Sequence, residues 1–329
     1  MLENEQTSRL AYGFVCQSME FGIITLEINH MTTLTATTAR KLEVKDFKAD
    51  VPPDWCPGCG DFGVLNVLQK ACAELEIQPH ELLVVSGIGC SSNLPGFFRS
   101  YGVHSLHGRA LAFATGAKLA NHHLTVIVTG GDGDGYGIGL NHFIQAMRRN
   151  INLTYIVMNN EIYGLTTGQV SPTSEHGMVT KSTPMGNLEQ MLNPLALALA
   201  SGCGYIARGF SGDPRHLQKL YMDGIQYPGF ALIDVFSPCV TFNKQNTYHW
   251  FRDHVYRLED NGHDPTDFHA ALDRAIEWGA KIPIGLFYRN PNPRPSLDQL
   301  DPALQGEPLV LKPRGLTAEQ RRALVEEFM

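Results

Sequence analysis

Two cysteines stand three positions apart in "WCPGCG", Trp55 to Gly60. A C-x-x-C pair serves as a redox dithiol, as half of a zinc site or as half of an iron–sulfur site, and each use needs different company elsewhere in the chain. No second C-x-x-C and no H-x-x-x-H follows, so the paired short spacings of structural zinc are missing. The chain has seven cysteines, an odd number in 329 residues. That is no disulfide framework, and a reducing, cytoplasmic setting is expected.

A second concentration of chemistry is "GGDGDGYGIG", Gly130 to Gly139. Its glycines never satisfy G-x-G-x-x-G, and the chain has no G-x-x-x-x-G-K-[ST], so neither nucleotide fingerprint is present. What the run offers is backbone without side chains at a helix start, where N–H groups and the helix dipole favour phosphate. Asp132 and Asp134 would repel a bare phosphate. A hard divalent cation between carboxylate and phosphate removes the conflict, and Mg²⁺ suits such an all-oxygen site. Asn159 and Asn160 end the next apolar run; alone they would read as a turn, but one unit after the aspartate they can offer an amide oxygen to the same ion.

The elements that must position these residues alternate. "DFGVLNVLQKACAEL" carries Val64, Leu68, Ala71 and Leu75 at helical spacing, and "LLVVSGIGC" after it is a short β-branched run ending in glycine. The pattern recurs as "GRALAFATGAKLAN" then "LTVIVTGGDG", "IGLNHFIQAMRRN" then "LTYIVMNN", "PLALALASG" then "YIARGF", and "PRHLQKLYMDGIQ" then "FALIDVFSPC". Such repetition predicts an α/β fold, a parallel sheet flanked by helices, with ligands beyond the carboxyl ends of its strands. Those ends carry "GIGCSSN", the glycine run, "NNEIYGLTTGQ" and "SPC". Residues 50–245 are expected to form this one domain, after an N-terminal extension (1–49) and before a helical and extended tail (246–329). The proline-rich "YRNPNPRPSLDQLDP" in that tail should run extended over a surface, since each proline removes a backbone donor.

The spacing of G-D-G and N-N resembles the signature of thiamine diphosphate enzymes. Five ordered blocks extend it: "WCPGCGDFGVL", "SGIGCSSNLPGFF", "HGRALAFATGAKLA", "GDGDGYGIGLNHFIQAMRRNINLTYIVMNNEIYGLTTGQVSPT" and "DVFSPCVTFN". Together they are similar to the beta subunit of 2-oxoacid:ferredoxin oxidoreductases, above all those acting on 2-oxoglutarate, over about residues 50 to 250. The resemblance implies a pyrophosphate-binding domain of the thiamine diphosphate type. Mg²⁺ would be held by Asp132, Asn160 and the backbone oxygen of Ile162. Gly131, Gly133, Asp134, Tyr163, Gly164, Leu165 and Thr166 would complete the cofactor site. One [4Fe–4S] cluster would sit on Cys56, Cys59, Cys90 and Cys239. Cys239 rather than Cys203 is expected as fourth ligand on geometry too, because it follows a strand on the cofactor's edge of the sheet. Cys72 and Cys16 have blander readings as small core or surface residues.

The implied reaction decarboxylates 2-oxoglutarate oxidatively, passes single electrons through the cluster to ferredoxin and yields succinyl-CoA with coenzyme A. Run backwards, it fixes CO₂. The glutamate that activates thiamine comes from a separate domain in this family, and residues 1–50 and 250–329 are too short to be one. An alpha-type partner is therefore expected, in an (αβ)₂ assembly. No bacterial C-x₂-C-x₂-C run indicates a fused ferredoxin domain.

Two residues carry separate expectations. His107, in "LHGRA", is a candidate proton donor to cofactor or substrate, or a structural cap at a helix start. Asn93 stands where relatives carry a basic residue that helps to hold the substrate carboxylate, which leaves the choice of 2-oxoacid open between 2-oxoglutarate and pyruvate. The net charge of −7 argues against a nucleic-acid surface. The apolar "LAYGFVCQSMEFGIITLEI" is interrupted by Glu20 and Glu27 and has neither a basic cluster before it nor a cleavage site, so neither signal nor membrane anchor is expected. Met31 offers an alternative start for the chain.

Overall fold

The computed structural model describes residues 40–312 and 315–327. The expectations for the apolar N-terminal stretch, Cys16 and Met31 fall outside the described residues. Lys41–Met329 make one compact unit.

Among the described residues ten strands form: β1 Leu82–Ser86, β2 Tyr101–His104, β3 Thr125–Gly131, β4 Leu153–Asn159, β5 Ile162–Tyr163, β6 Gln169–Val170, β7 Tyr205–Phe210, β8 Phe230–Phe236, β9 Val255–Arg257 and β10 Ile282–Arg289. Eight make one sheet in the order β2-β1-β3-β4-β8-β7-β10-β9, and β5 and β6 form a separate hairpin. Every neighbouring pair in the large sheet is parallel except β10 with β7. The expected parallel sheet flanked by helices is therefore present.

Strand residues alternate between two cores because successive side chains leave a strand on opposite faces. Leu82, Val84, Ile127, Ile156, Ala231 and Ile233 face α1 (Asp61–Glu74) and α5 (Pro214–Ile225). Leu83, Val85, Val128, Tyr155, Val157 and Leu232 face α2 (Ala110–Ala120), α3 (Leu140–Arg148), α4 (Pro194–Ala200) and α7 (Phe268–Ala275). Local chemistry starts these helices. Asn193 and Asp213 cap α4 and α5 by accepting from Ala196 N–H and His216 N–H, and a proline with no donor to lose follows each cap.

Residues beyond 245 do more than form a tail. A short helix, α6 (Tyr248–His254), stacks Phe251 on Phe236 with ring centroids 4.5 Å apart, and β9 and β10 then extend the sheet past β7. The proline-rich passage after β10, expected to run extended, coils in its second half into a short helix, Leu297–Leu300; the part before it is strapped down by Asn150 Nδ2, which donates to Arg294 O (2.7 Å), and by Arg294 Nη2, which donates to Gly202 O (3.0 Å).

In the middle of the sheet Arg208 on β7 stands opposite Asp234 on β8. Arg208 Nε donates to Asp234 Oδ2 at 3.3 Å, and Tyr136 OH (3.1 Å) and Asn159 Nδ2 (3.3 Å) donate to Oδ1. Burial pushes the Asp234 carboxyl up, while Arg208 and these donors pull it back. Removing one partner strands the other charge in the core. Asp234→Ala is expected to cost about 3–5 kcal/mol in a urea unfolding titration; a midpoint within error of the unsubstituted chain would contradict it.

Candidate functional site

The strands β1, β3, β4 and β8 lie side by side and parallel, so their carboxyl ends reach one edge of the sheet. Register aligns Gly131 with Met158 and Asn159 with Phe236. Two cavities open there.

The first, of about 220 Å³, is lined by Ile88, Cys90, His107, Gly131, Asp132, Gly133, Asp134, Asn160, Ile162, Tyr163, Gly164, Leu165 and Thr166, among others. Every residue expected around the cofactor is among them. After β3 the chain coils through a wide i→i+5 turn, Gly133–Ile138, before α3. A side chain at Gly133 would run into the Tyr163 ring, whose hydroxyl donates to Gly133 O at 3.0 Å. Asp132 is 1% exposed, with Oδ2 accepting from Ser171 Oγ (2.5 Å) and Thr173 Oγ1 (2.7 Å) and Oδ1 from Asn160 N–H (3.4 Å). Burial still pushes its carboxyl up to about 6 against those donors. This carboxylate lacks a counter-charge, and a divalent cation is the charge that would satisfy it.

The two asparagines divide their work. Asn159 is buried and structural: its Nδ2 donates to Asp234, and its Oδ1 accepts from Thr173 Oγ1 (2.9 Å) and Glu161 N–H (3.3 Å). Asn160 faces the cavity, with its Oδ1 accepting from Ile162 N–H at 3.1 Å and its backbone oxygen from Asn243 Nδ2 at 3.0 Å. Glu161 between them is fully buried in a left-handed conformation (φ 58°), its carboxylate without a hydrogen-bond partner and pushed well up by burial.

The second cavity, of about 250 Å³, is lined by all four expected thiols, Cys56, Cys59, Cys90 and Cys239, together with Asp54, Trp55, Asn93, Asn160, Gly164 and Leu165. Three distant segments are tied together to make it. Trp55 Nε1 donates to Cys90 O (2.6 Å), Gly60 N–H to Pro238 O (3.1 Å), and Ser237 Oγ to Asp61 Oδ1 (2.7 Å). A side chain at Gly60 would strike Ser237, so glycine is what lets the loop dock. Gly58 turns the loop at φ 84°. Burial first, then the neighbouring Asp61, raises the Cys59 thiol strongly and pushes Cys90 up to about 11. The sulfurs thus need positive charge in the cavity before all can be thiolates. Among the described residues no three Cys, His, Asp or Glu side chains converge on a point for one metal ion.

Cys203 is buried at the amino end of β7, with its Sγ donating to Tyr205 O (3.2 Å), and Cys72 is buried within α1. Asn93 lines the thiol cavity and donates to Asp54 Oδ1 at 3.5 Å; it does not line the Asp132 cavity. Sequence reasoning missed Asp61, Ser171, Thr173 and Asn243. Asp61 alone had a signal, as an acid in a first helical turn beside the C-x-x-C.

A parallel sheet with a carboxylate, a glycine turn and a strand-end asparagine at its carboxyl edge defines a thiamine diphosphate-binding domain. Residues 87–235 match the family described as thiamine pyrophosphate enzyme, C-terminal TPP binding domain, and residues 239–305 match the family that describes the C-terminal part of the pyruvate ferredoxin oxidoreductase beta chain. The chain is 46% identical to "2-oxoacid:ferredoxin oxidoreductase 1, subunit beta" of Aeropyrum pernix, over 81% of this chain and 92% of that one. It is 47% identical to "2-oxoglutarate oxidoreductase subunit KorB" of Mycobacterium tuberculosis, over 63% and 56%. A solved 2-oxoglutarate:ferredoxin oxidoreductase from Magnetococcus marinus, with 2-oxoglutarate, coenzyme A and succinyl-CoA bound, superimposes with a TM-score of 0.79 at 42% identity, covering 88% of this chain and 97% of that chain. The chain belongs to the family of 2-oxoacid:ferredoxin oxidoreductase beta subunits, which are thiamine diphosphate enzymes. No described helix is long and apolar enough to cross a membrane.

Asp132 yields a pH prediction. Its folded pKa of about 6 lies above the usual 3.8, so the stability tied to its protonated form is complete below about pH 4 and lost as pH rises through 6. In the cation-free chain, Asp132→Asn is expected to shrink the fall in Tm between about pH 4 and pH 6.5. Identical pH dependence in both chains by circular dichroism melting would refute it.

Proposed function

We propose that this chain is the half of a 2-oxoglutarate:ferredoxin oxidoreductase that holds thiamine diphosphate, Mg²⁺ and one [4Fe–4S] cluster. The observation that carries this reading is the shared wall: Cys90, Asn160, Gly164 and Leu165 line both cavities. A Cβ built on Gly164 would lie 3.5 Å from Cys239 Sγ and 3.8 Å from Cys90 Sγ. A cofactor held in the first cavity would therefore lie beside the sulfurs that line the second. When bound, thiamine diphosphate supplies a carbon nucleophile for the 2-oxo group and a sink for the electron pair that departing CO₂ leaves, and the cluster accepts electrons singly.

The chain's own residues bind and orient. Asp132, Asn160 and the Ile162 carbonyl would hold Mg²⁺, with Ser171 and Thr173 fixing the carboxylate. Gly131 and Gly133 leave backbone open to the diphosphate. Cys56, Cys59, Cys90 and Cys239 would hold the cluster; the four thiols around a cavity, rather than converging on one ion, favour it over zinc. The overall balance transfers two electrons from 2-oxoglutarate to two ferredoxins, with coenzyme A taking the acyl group as succinyl-CoA, and strongly reduced ferredoxin would drive CO₂ fixation in reverse. The choice of 2-oxoglutarate rests on the similarity to KorB and to the Magnetococcus marinus enzyme.

Ile88, Leu106, Ile138 and Leu165 are exposed large apolar residues, and all lie in the segments that build the first cavity or, for Leu106, next to His107. Such a rim fits a covering partner. We assign it to the alpha subunit, in an (αβ)₂ assembly with ferredoxin as the electron acceptor.

Co-purification with the alpha chain, followed by assay of 2-oxoglutarate against pyruvate with coenzyme A and a viologen dye, tests the substrate. Preference for pyruvate would overturn it. Visible absorption bleached by dithionite is expected; its absence would leave a non-oxidative thiamine decarboxylase half.

Asp132→Ala is expected to lose thiamine diphosphate while keeping the cluster, measured as cofactor and iron content of the same sample; stoichiometric cofactor in the folded variant would count against the metal site. Cys239→Ala should lose or degrade the reduced-cluster signal in electron paramagnetic resonance, whereas Cys203→Ala should match the unsubstituted enzyme. The opposite pattern would reverse the ligand assignment.

A further inference from the structure

The buried Thr173 hydroxyl has one proton and two acceptors within reach. Its Oγ1 lies 2.7 Å from Asp132 Oδ2 and 2.9 Å from Asn159 Oδ1. The Asn159 amide cannot flip to relieve this. Its Nδ2 donates to Asp234 Oδ1 (3.3 Å) while its Oδ1 also accepts from Glu161 N–H (3.3 Å), and the flipped amide would set oxygen against carboxylate and N–H against N–H. Asp234 is in turn held by Arg208 Nε at 3.3 Å. A charged acceptor outcompetes an amide, so the Thr173 proton belongs on Asp132. Thr173 Oγ1 and Asn159 Oδ1 then face each other at 2.9 Å with no proton between them, an arrangement that a third donor would relieve.

A chamber of about 110 Å³ brings such a donor near. Asn159, Thr173, Arg208, Met191, Ile276 and Trp278 line it, among others. Arg208 is 3% exposed, and its guanidinium carbon stands 5.1 Å, 5.8 Å and 5.6 Å from the ring centres of Phe236, Trp278 and Phe287. Those aromatic faces attract the charge but take no hydrogen bond from Nη1, which is buried with no partner among the described residues. A water needs about 10–15 Å³ and two to four polar partners, so the chamber has room for several. With the carboxylates of Asp132 and Asp234 bonded to the lining residues, an anion is disfavoured and the occupant is neutral. We propose that this chamber holds ordered water, that one such water accepts from Arg208 Nη1 and donates to Thr173 Oγ1 and Asn159 Oδ1, and that it thereby keeps the Thr173 proton on Asp132. Arg208, Asn159 and Thr173 are then positioning residues, acting on the metal only through the carboxylate. The inference rests on the reading of Asp132 as a ligand of a divalent cation, since a carboxylate pinned by Ser171 and Thr173 meets the ion in one orientation.

The test uses the complete enzyme with its alpha chain, stripped of metal, supplied with thiamine diphosphate and titrated with Mn²⁺, the free ion being read by electron paramagnetic resonance. A high-resolution crystal structure of the same enzyme is expected to show water within hydrogen-bond distance of both Arg208 Nη1 and Thr173 Oγ1. Thr173→Val is expected to raise the Mn²⁺ Kd about 10- to 100-fold, the range of one hydrogen bond to a charged group. Thr173→Ser, which keeps the hydroxyl, should bind within about threefold of the unsubstituted enzyme. Met191→Phe puts bulk into the chamber and changes none of the hydrogen-bonding residues; it should displace the water and raise Kd by less, about three- to tenfold. Iron content should be unchanged in all three. A chamber without water, with Nη1 bonded to protein, would overturn the proposal. So would a variant that loses the water yet keeps the unsubstituted Kd, and so would Thr173→Ser binding as weakly as Thr173→Val, which would assign the effect to packing instead of the proton. Failure of the unsubstituted enzyme to bind Mn²⁺ with thiamine diphosphate would remove the functional reading itself, and the inference with it.

Discussion

Negative charge gathered without matching positive charge at one edge of the sheet is the constraint around which this molecule is arranged. Asp61, Asp132, Asp134, Glu161 and Asp234 are all buried, and the buried cations among the described residues are Arg208 and Lys118. Lys118 is spent elsewhere, donating to His122 O and Leu124 O just ahead of β3. Arg208 answers Asp234 in the sheet interior. Asp61 and Asp132 are held by hydroxyl donors and Asp134 by two backbone N–H groups and His107, whereas the Glu161 carboxylate has no hydrogen-bond partner among the described residues. The cations proposed for this edge would balance those groups.

The same edge solves a problem of distance. Parallel strands deliver four chain ends side by side, and short docking contacts then draw two cavities against each other. Trp55 reaches the Cys90 carbonyl, Gly60 reaches Pro238, and Gly164 stands between Asn160 and two sulfurs with no side chain of its own. In the proposed reaction that thin partition is the electron path. The aromatic stack of Phe236 and Phe251 holds α6 against the end of β8, the strand that leads to Cys239.

Much of the sheet was readable in advance because β1, β3, β4, β7 and β8 are buried on both faces and so spell continuous β-branched or aromatic runs. β2, β9 and β10 were not. "YGVH" is short and exposed at an edge, "VYR" has three residues, and "IPIGLFYR" contains the proline and glycine that usually argue against a strand. β10 tolerates them because it lies near the sheet's edge, antiparallel to β7 and with a register shift between Leu286 and Tyr288. For the same reason the sheet runs past the boundary near 245 that composition suggests.

In the site, spacing alone pointed to Asp132, to the pair Asn159 and Asn160 and to the C-x-x-C, and the resemblance to a family singled out Asn160. Resemblance to a family added Cys90 and Cys239. Ser171, Thr173 and Asn243 gave no signal, being ordinary polar residues in loops whose partners lie tens of positions away. Residue types indicated the chemistry to look for; only the packed sheet decided that Asp132 would be buried, that Asn159 would be tied to Asp234 in the sheet interior while Asn160 faces the cavity, and that Asp134 would be bonded to His107. Those outcomes depend on which strand lies beside which, and hydrogen bonds between segments that far apart exist only once the chain has folded.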